Sequence, residues 1–395
     1  MKAVFIHDHY FVLNEQENLV YDGSGGVFDY KLWNRYLAIF DWLTVVGRKT
    51  DKLPNKLIVS SAENVVFRLI DDLKSGKDRF IKQNIVKEKL KKIIQEVDFA
   101  IIRVPSTLGY LAQSVCEDIK KPYILEIVAC PWDAYWNYGK ITAKLMAPFE
   151  WWKLKSVANK SPACVYVTKE FLQSRYPTKG KSIAISNVRI ENVINPEIAE
   201  TFYRTTSQNE GEFRIGLIGS FHVKYKGHLE ALRALKKISD KKQIPNVKLY
   251  LVGTGDSQWV LNLAKKLKIE DKVEIVGTLK AGEEGILPFL DQIDLYIHPS
   301  KQEGLPRVVI EAMSRGRLAL GSSAAGIPEL LRDSFLHKPG DWRKLSFDIV
   351  NIYNSRENWE TISKQNIDKA CEYIEEVLQQ RRKDFFRNEI NKFRK

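Results

Sequence analysis

The chain has 395 residues, 44% of them hydrophobic and 28% charged, and 62 Lys and Arg outweigh 49 Asp and Glu for a formal net charge of +13. That length predicts two domains with apolar residues enough for two cores, and no apolar run approaches the roughly 18 residues of a transmembrane helix. Four scattered cysteines without a C-x-x-C pair argue against a disulfide frame or a zinc site, six dispersed histidines suggest no metal site, and the expectation is a cytoplasmic protein with reduced thiols.

MKAVFIHDHY opens with a short apolar run broken by His7, Asp8 and His9, which reads as a first strand and not as a signal peptide. Gly23-Ser24-Gly25-Gly26 forms a glycine loop before a helical pattern that starts near Asp29, a place where backbone approaches a ligand closely. Residues 29–43 have helix-like apolar spacing. Strands are expected at 3–6, 56–61, 99–106, 122–128 and 163–168. Strand and helix in alternation predict a parallel, doubly wound α/β sheet.

The run PYILEIV leads into CPWDAYWNYGK, Cys130 to Lys140. Glu126 and Asp133 are its polar groups, and Trp132, Tyr135 and Trp136 could stack on sugar faces or simply pack a loop. In Lys144 to Lys160, Leu145, Phe149 and Trp152 gather with lysines. Two readings stand there: an interfacial helix on anionic lipid, or a helix buried against its own domain. Residues 184–197 read as a connection, which sets a first domain at 1–187 and a second at 188–370, followed by a terminal helix at 371–395.

The second domain opens with a strand from Arg214, a glycine turn at Gly219 and Ser220, and the pair Lys226-Gly227. A lysine there can reach a diphosphate as a point charge, while glycine lets backbone come close. Gly253 and Gly255 follow the next strand, but Gln258 stands where a dinucleotide fingerprint needs a third glycine, so that fingerprint fails. KVEIVGTL ends in Gly277, Thr278 and Leu279. The strand DLYIHPS, with His298 near its end, runs into EGLPRVVIE. Gly304 and Pro306 mark a turn and a helix start. Glu303 then lies on a loop at a strand's carboxyl end and Glu311 lies inside the helix, with free backbone N–H groups between them. This suits a phosphate next to a polyhydroxylated sugar: N–H groups for the phosphate, carboxylates for hydroxyls.

Glu-x7-Glu in this setting resembles the donor-site signature of retaining glycosyltransferases of family 4, which have the GT-B fold. Residues 213–235, 247–256, 272–279 and 324–331 resemble further blocks of that family, in the family's order. The resemblance implies two Rossmann-like domains facing a cleft, with the last helices crossing back to the first domain. It implies that Lys226 and Glu303 are catalytic: Lys226 neutralises a leaving nucleotide diphosphate, and Glu303 binds donor-sugar hydroxyls and faces the reacting carbon. Glu311 would hold ribose hydroxyls. Gly25 and Gly26 would lie beneath the diphosphate, together with Gly219, Ser220, Gly227, Gly253, Gly304, Leu305, Pro306 and Arg307, while Gly277, Thr278 and Leu279 would stand near the base. The strand end with Glu126, Trp132, Asp133, Tyr135 and Trp136 would take the acceptor. It also implies a nucleotide diphosphate sugar as donor, no cofactor and no metal, since lysine and helix dipole replace the cation.

Two departures stand out. Ser220 occupies the family's usual arginine position, and no histidine follows the strand at 122–128. The Pro-Trp-Asp-Ala run resembles transferases of bacterial capsule, O-antigen and exopolysaccharide clusters. That resemblance implies a saccharide or lipid-linked saccharide acceptor and peripheral attachment to the inner face of the cell membrane. The basic excess fits an anionic membrane or substrate, or plain solvated helix faces; no nucleic-acid-binding motif is present. A glycoside hydrolase is disfavoured, since eight helical residues rise about 12 Å while hydrolase carboxyls stand about 5–9.5 Å apart. The alternative is a catalytically degenerate protein that keeps the nucleotide-sugar site.

Overall fold

The computed structural model describes residues 1–23, 28–53, 57–71, 83–207 and 211–393. Two sheets account for the strands. The first contains β1 (Lys2–Asn14), β2 (Leu19–Asp22), β3 (Trp42–Lys49), β4 (Val65–Asp71), β5 (Phe99–Val104), β6 (Tyr123–Ile127), β7 (Ala163–Tyr166) and β8 (Lys181–Ala184). Its order is β4-β3-β1-β5-β6-β7-β8, all parallel, with β2 antiparallel on β1. The second contains β9 (Phe213–Ile218), β10 (Val247–Val252), β11 (Val273–Gly277), β12 (Leu295–His298), β13 (Leu318–Ser322) and β14 (Leu336–His337), in the order β11-β10-β9-β12-β13-β14. Every residue of β5 and β6 is buried, as expected of parallel strands covered on both faces.

Both sheets reverse their winding beside their first strand, between β1 and β5 and between β9 and β12. Loops leaving the carboxyl ends on either side of such a point diverge and open a crevice. In the second sheet those loops carry Lys226 and Glu303.

Two expectations are corrected. Residues 29–43 do not form one helix. A 3-10 turn, Tyr30–Trp33, and one α-turn, Asn34–Leu37, precede β3, because the β-branched run from Trp42 finds β1 and β4 on its two sides. The strand expected at 56–61 contributes only the bridge between Val59 and Tyr21 among the described residues; Lys56 lies outside them.

The helices that matter for the site are α1 (Pro131–Trp136), α2 (Ile141–Lys160) and α3 (Phe171–Arg175) in the first domain, and α4 (Arg307–Ser314) in the second. The last two are α5 (Trp359–Cys371) and α6 (Glu375–Phe393). Helix α5 stays on the second domain, where Trp359 stacks near Phe213 and Tyr203. Helix α6 packs on the first: Phe386 meets Phe40 and Phe99, and Gln379 donates to the Arg35 carbonyl at 2.8 Å. The parallel bridge of Ile190 to Ile374 lies beside this crossing. Among the described residues no helix is long and apolar enough to cross a membrane.

Candidate active site

The site is assembled at the carboxyl ends of β9 and β12. Lys226 ends a short 3-10 turn, Lys224–Lys226, and Gly227 follows with φ +86°. A Cβ on Gly227 would lie 2.3 Å from the Pro299 carbonyl oxygen, so only glycine lets the loop press against the end of β12. That approach brings the Lys226 Nζ to 2.7 Å from Glu303 Oε1. His298 Nε2 donates to the same oxygen at 2.8 Å, and the Tyr296 hydroxyl meets the other ring nitrogen at 2.9 Å. Tyr296 and His298 face one way from β12, two residues apart, so the strand itself aligns this relay.

Burial alone would raise the pKa of Glu303, but His298 and then Lys226 outweigh it and hold the carboxyl down to about 2. Glu303 is therefore an anion that accepts hydrogen bonds. A group ionised so readily is unsuited to the general-acid role a hydrolase needs.

Glu311 has the opposite environment. One carboxylate oxygen is buried and finds no partner among the described residues. Burial raises its pKa, with Arg307 and Arg189 opposing. An unpartnered buried acceptor costs stability unless a donor arrives, and a pair of sugar hydroxyls is such a donor. Helix α4 begins between the two carboxylates. Pro306 is its N-cap, no side chain caps it, and its first turn has no acid, so its dipole is uncompensated. Leu305 and Pro306 are buried and Arg307 is exposed.

The remaining donor-side residues divide by role. Gly219 and Gly253 pack the loops together: a Cβ on Gly253 would lie 2.0 Å from the Gly219 carbonyl oxygen, and one on Gly219 would lie 3.0 Å from Lys226 Cβ. Ser220 donates to the Thr254 carbonyl at 3.2 Å and accepts from the His222 N–H at 3.3 Å, so it pins the loop and adds no charge. Lys224 is exposed. Thr278 donates to the Gly253 carbonyl at 3.2 Å. Gly277 has φ +86° with open space around it, and Leu279 is half-buried. Gly25 and Gly26 lie outside the described residues. The chain leaving that loop is held: Phe28 N–H donates to Asp22, and Asp29 takes two bonds from Arg189, at 2.6 and 3.1 Å. Arg189, in the connection between domains, gave no pattern in the sequence.

On the acceptor side one expectation is corrected. Glu126 is 3% exposed, and both its oxygens are engaged by Tyr36 and Arg103. It holds the first domain's interior and leaves nothing for a substrate hydroxyl. Asp133 is paired with Arg175 at 2.9 Å. Trp132 and Trp136 stack at 5.5 Å with their planes 10° apart, Trp136 is exposed, and Tyr135 is half-buried. These rings follow Val128, whose carbonyl oxygen would be 2.8 Å from a Cβ on Gly304. The aromatic helix α1 thus starts beside the loop that carries Glu303. Across the same boundary Glu329 accepts the N–H groups of Lys169, Glu170 and Phe171, which closes the two domains on each other.

Comparison with known proteins bears on the family and the fold. The family described as Glycosyl transferases group 1 matches residues 212–355. Protein CapJ of Staphylococcus aureus is 34% identical over 350 residues, covering 88% of this chain and 85% of CapJ. Among solved structures, Anabaena HepE in complex with UDP aligns with a TM-score of 0.70 at 15% identity, over 98% of this chain and 100% of HepE. Sucrose-phosphate synthase from Thermosynechococcus elongatus aligns with a TM-score of 0.68 at 16% identity, over 98% of both chains. The fold expected from the sequence is the observed one, and the chain belongs to the group 1 glycosyltransferases of GT-B type.

Proposed function

We propose that the protein transfers a sugar, with retention, from a nucleotide diphosphate donor to a saccharide acceptor, free or lipid-linked, in the synthesis of a cell-surface polysaccharide. The observation that carries this reading is the contact of Lys226 with Glu303 at a switch point, one turn from an uncapped helix start. The diphosphate lies along Lys226 and the start of α4, the ribose hydroxyls donate to Glu311, and the sugar hydroxyls donate to Glu303. The acceptor oxygen attacks the anomeric carbon on the face the diphosphate leaves. The carbon–phosphate-oxygen bond breaks, its electron pair stays on the diphosphate, and that oxygen takes the acceptor's proton. Lys226 and the helix dipole stabilise the charge, so no metal and no cofactor is needed. The protein's part is positioning and electrostatics. The exposed Trp136 offers a stacking face to the acceptor.

Thermal-shift measurements with UDP-, GDP-, ADP- and TDP-sugars test the donor, since a ligand at 100 times its Kd stabilises by about 2.7 kcal/mol. UDP-glucose comes first, because HepE was solved with it. The anomeric configuration of the product, read by NMR in the presence of EDTA, tests retention and metal independence together. Ser220, which brings no charge to the loop, favours a second reading, a binder without turnover; the absence of both transfer and donor hydrolysis would establish it.

A further inference from the structure

Helix α2 is apolar on two faces at once. Ala147, Leu154 and Ala158 are buried against the first domain, and Trp151 packs partly with them. On the other side Ile141, Leu145, Phe149 and Trp152 are 79%, 74%, 53% and 62% exposed. At 3.6 residues per turn these four fall within an arc of about 80°. A row of this size is not normal solvated surface and needs a cover.

The charges around the row indicate what the cover is. On the same wheel Lys144 and Lys155 flank one side, and Lys153 and Lys160 flank the other. The only acid in the helix, Glu150, lies away from the row. The ammonium groups of Lys144 and Lys155 sit over the rings of Trp136 and Trp151, 5.3 and 4.6 Å from the ring centres, so the aromatic groups beside the row hold these charges next to it. A second copy of the chain docking by a two-fold axis would set these lysines against one another. An anionic bilayer takes the apolar row into its interface and the lysines onto its headgroups.

We infer that the exposed face of α2 docks on an anionic lipid leaflet. The helix follows α1 and its Trp136 directly, so docking sets the acceptor side of the cleft at the leaflet, where the sugar of a lipid-linked acceptor would lie. This last point rests on the acceptor reading above; the surface itself does not.

Flotation with phosphatidylcholine vesicles, with and without phosphatidylglycerol, tests the inference. The protein should float with the anionic vesicles and stay behind with the neutral ones, and salt should release it. The triple variant Leu145→Ser, Phe149→Ser, Trp152→Ser should lose about tenfold or more in vesicle affinity. Lys155→Glu with Lys160→Glu should lose about tenfold as well, through charge alone. Both variants alter exposed or half-exposed positions, and an unchanged donor-induced thermal shift shows that they fold. Undiminished vesicle binding by both would overturn the inference. So would no vesicle binding by native protein, or a native dimer that the triple variant turns into a monomer. Vesicle binding without transfer to a lipid-linked acceptor would leave the surface standing and remove the acceptor reading.

Discussion

Lys226 and Glu303 stand 77 positions apart in the chain and 2.7 Å apart in space. Without a ligand each is the other's counter-charge. A diphosphate that enters beside Lys226 finds a cation already placed and a carboxylate already ionised, so little reorganisation is needed when charge develops on the leaving group.

Lys226→Ala should cut turnover by about 10²–10³. Its fold should survive, since the lysine is partly exposed and Glu303 keeps His298 as a donor. Steady-state transfer or donor hydrolysis measures the loss, and circular dichroism the fold. Turnover near the native level would move the role to Lys224 or Arg307.

Glu311→Gln should raise the stability of the free protein and weaken its binding of nucleoside diphosphate. One oxygen of the native carboxylate is buried without a partner among the described residues, and a neutral side chain removes the cost of desolvating the charge, a gain on the order of 1 kcal/mol. Glu303→Gln should leave diphosphate binding nearly intact and impair transfer. Calorimetry with the diphosphate alone separates the two; equal losses would refute the division of roles.

The pH dependence of stability should show Glu303. Its pKa is about 2 in the folded protein against an ordinary value of 4.5, so the unfolded chain binds the proton more readily. The stabilisation is complete above that ordinary value and is lost as the pH falls through the folded one. Denaturant unfolding of native protein and Glu303→Gln should therefore differ most near neutrality and converge in acid. A constant difference down to the lowest accessible pH would contradict the pairing.

Glu329→Ala should loosen the contact between the domains. Three backbone N–H groups at the start of α3 lose their acceptor, a change comparable with losing a helix cap, about 0.5–2 kcal/mol. Small-angle scattering should show a larger radius of gyration, and donor affinity should fall less than turnover.

The chemistry of the second domain could be read along the chain because it is local. A buried strand, a loop carboxylate, a proline at a helix start and a second carboxylate inside the helix are set by neighbours in sequence, and the strands at 99–104 and 123–127 were marked by short apolar runs, each interrupted by a single charge, Arg103 and Glu126. The first domain was read less well. Trp33, Tyr36 and Phe40 have helical spacing, but pairing with β1 and β4 claimed the residues after them for a strand.

The sequence by itself determined the alternation of strands and helices, the loops that carry Lys226 and Glu303, the helix that carries Glu311, and the excess of positive charge. The tertiary structure alone decided which of these groups meet. Lys226 reaches Glu303 because β9 lies beside β12, and strand order is set by packing across the sheet, not by spacing along the chain. Glu126 turned inward because Arg103 and Tyr36 surround it, and a buried carboxylate needs such partners. Trp151 and Trp152 are adjacent and alike in chemistry, yet one packs on the domain and the other faces out. Helical geometry places neighbours about 100° apart, and only the position of the domain behind them selects which one is covered.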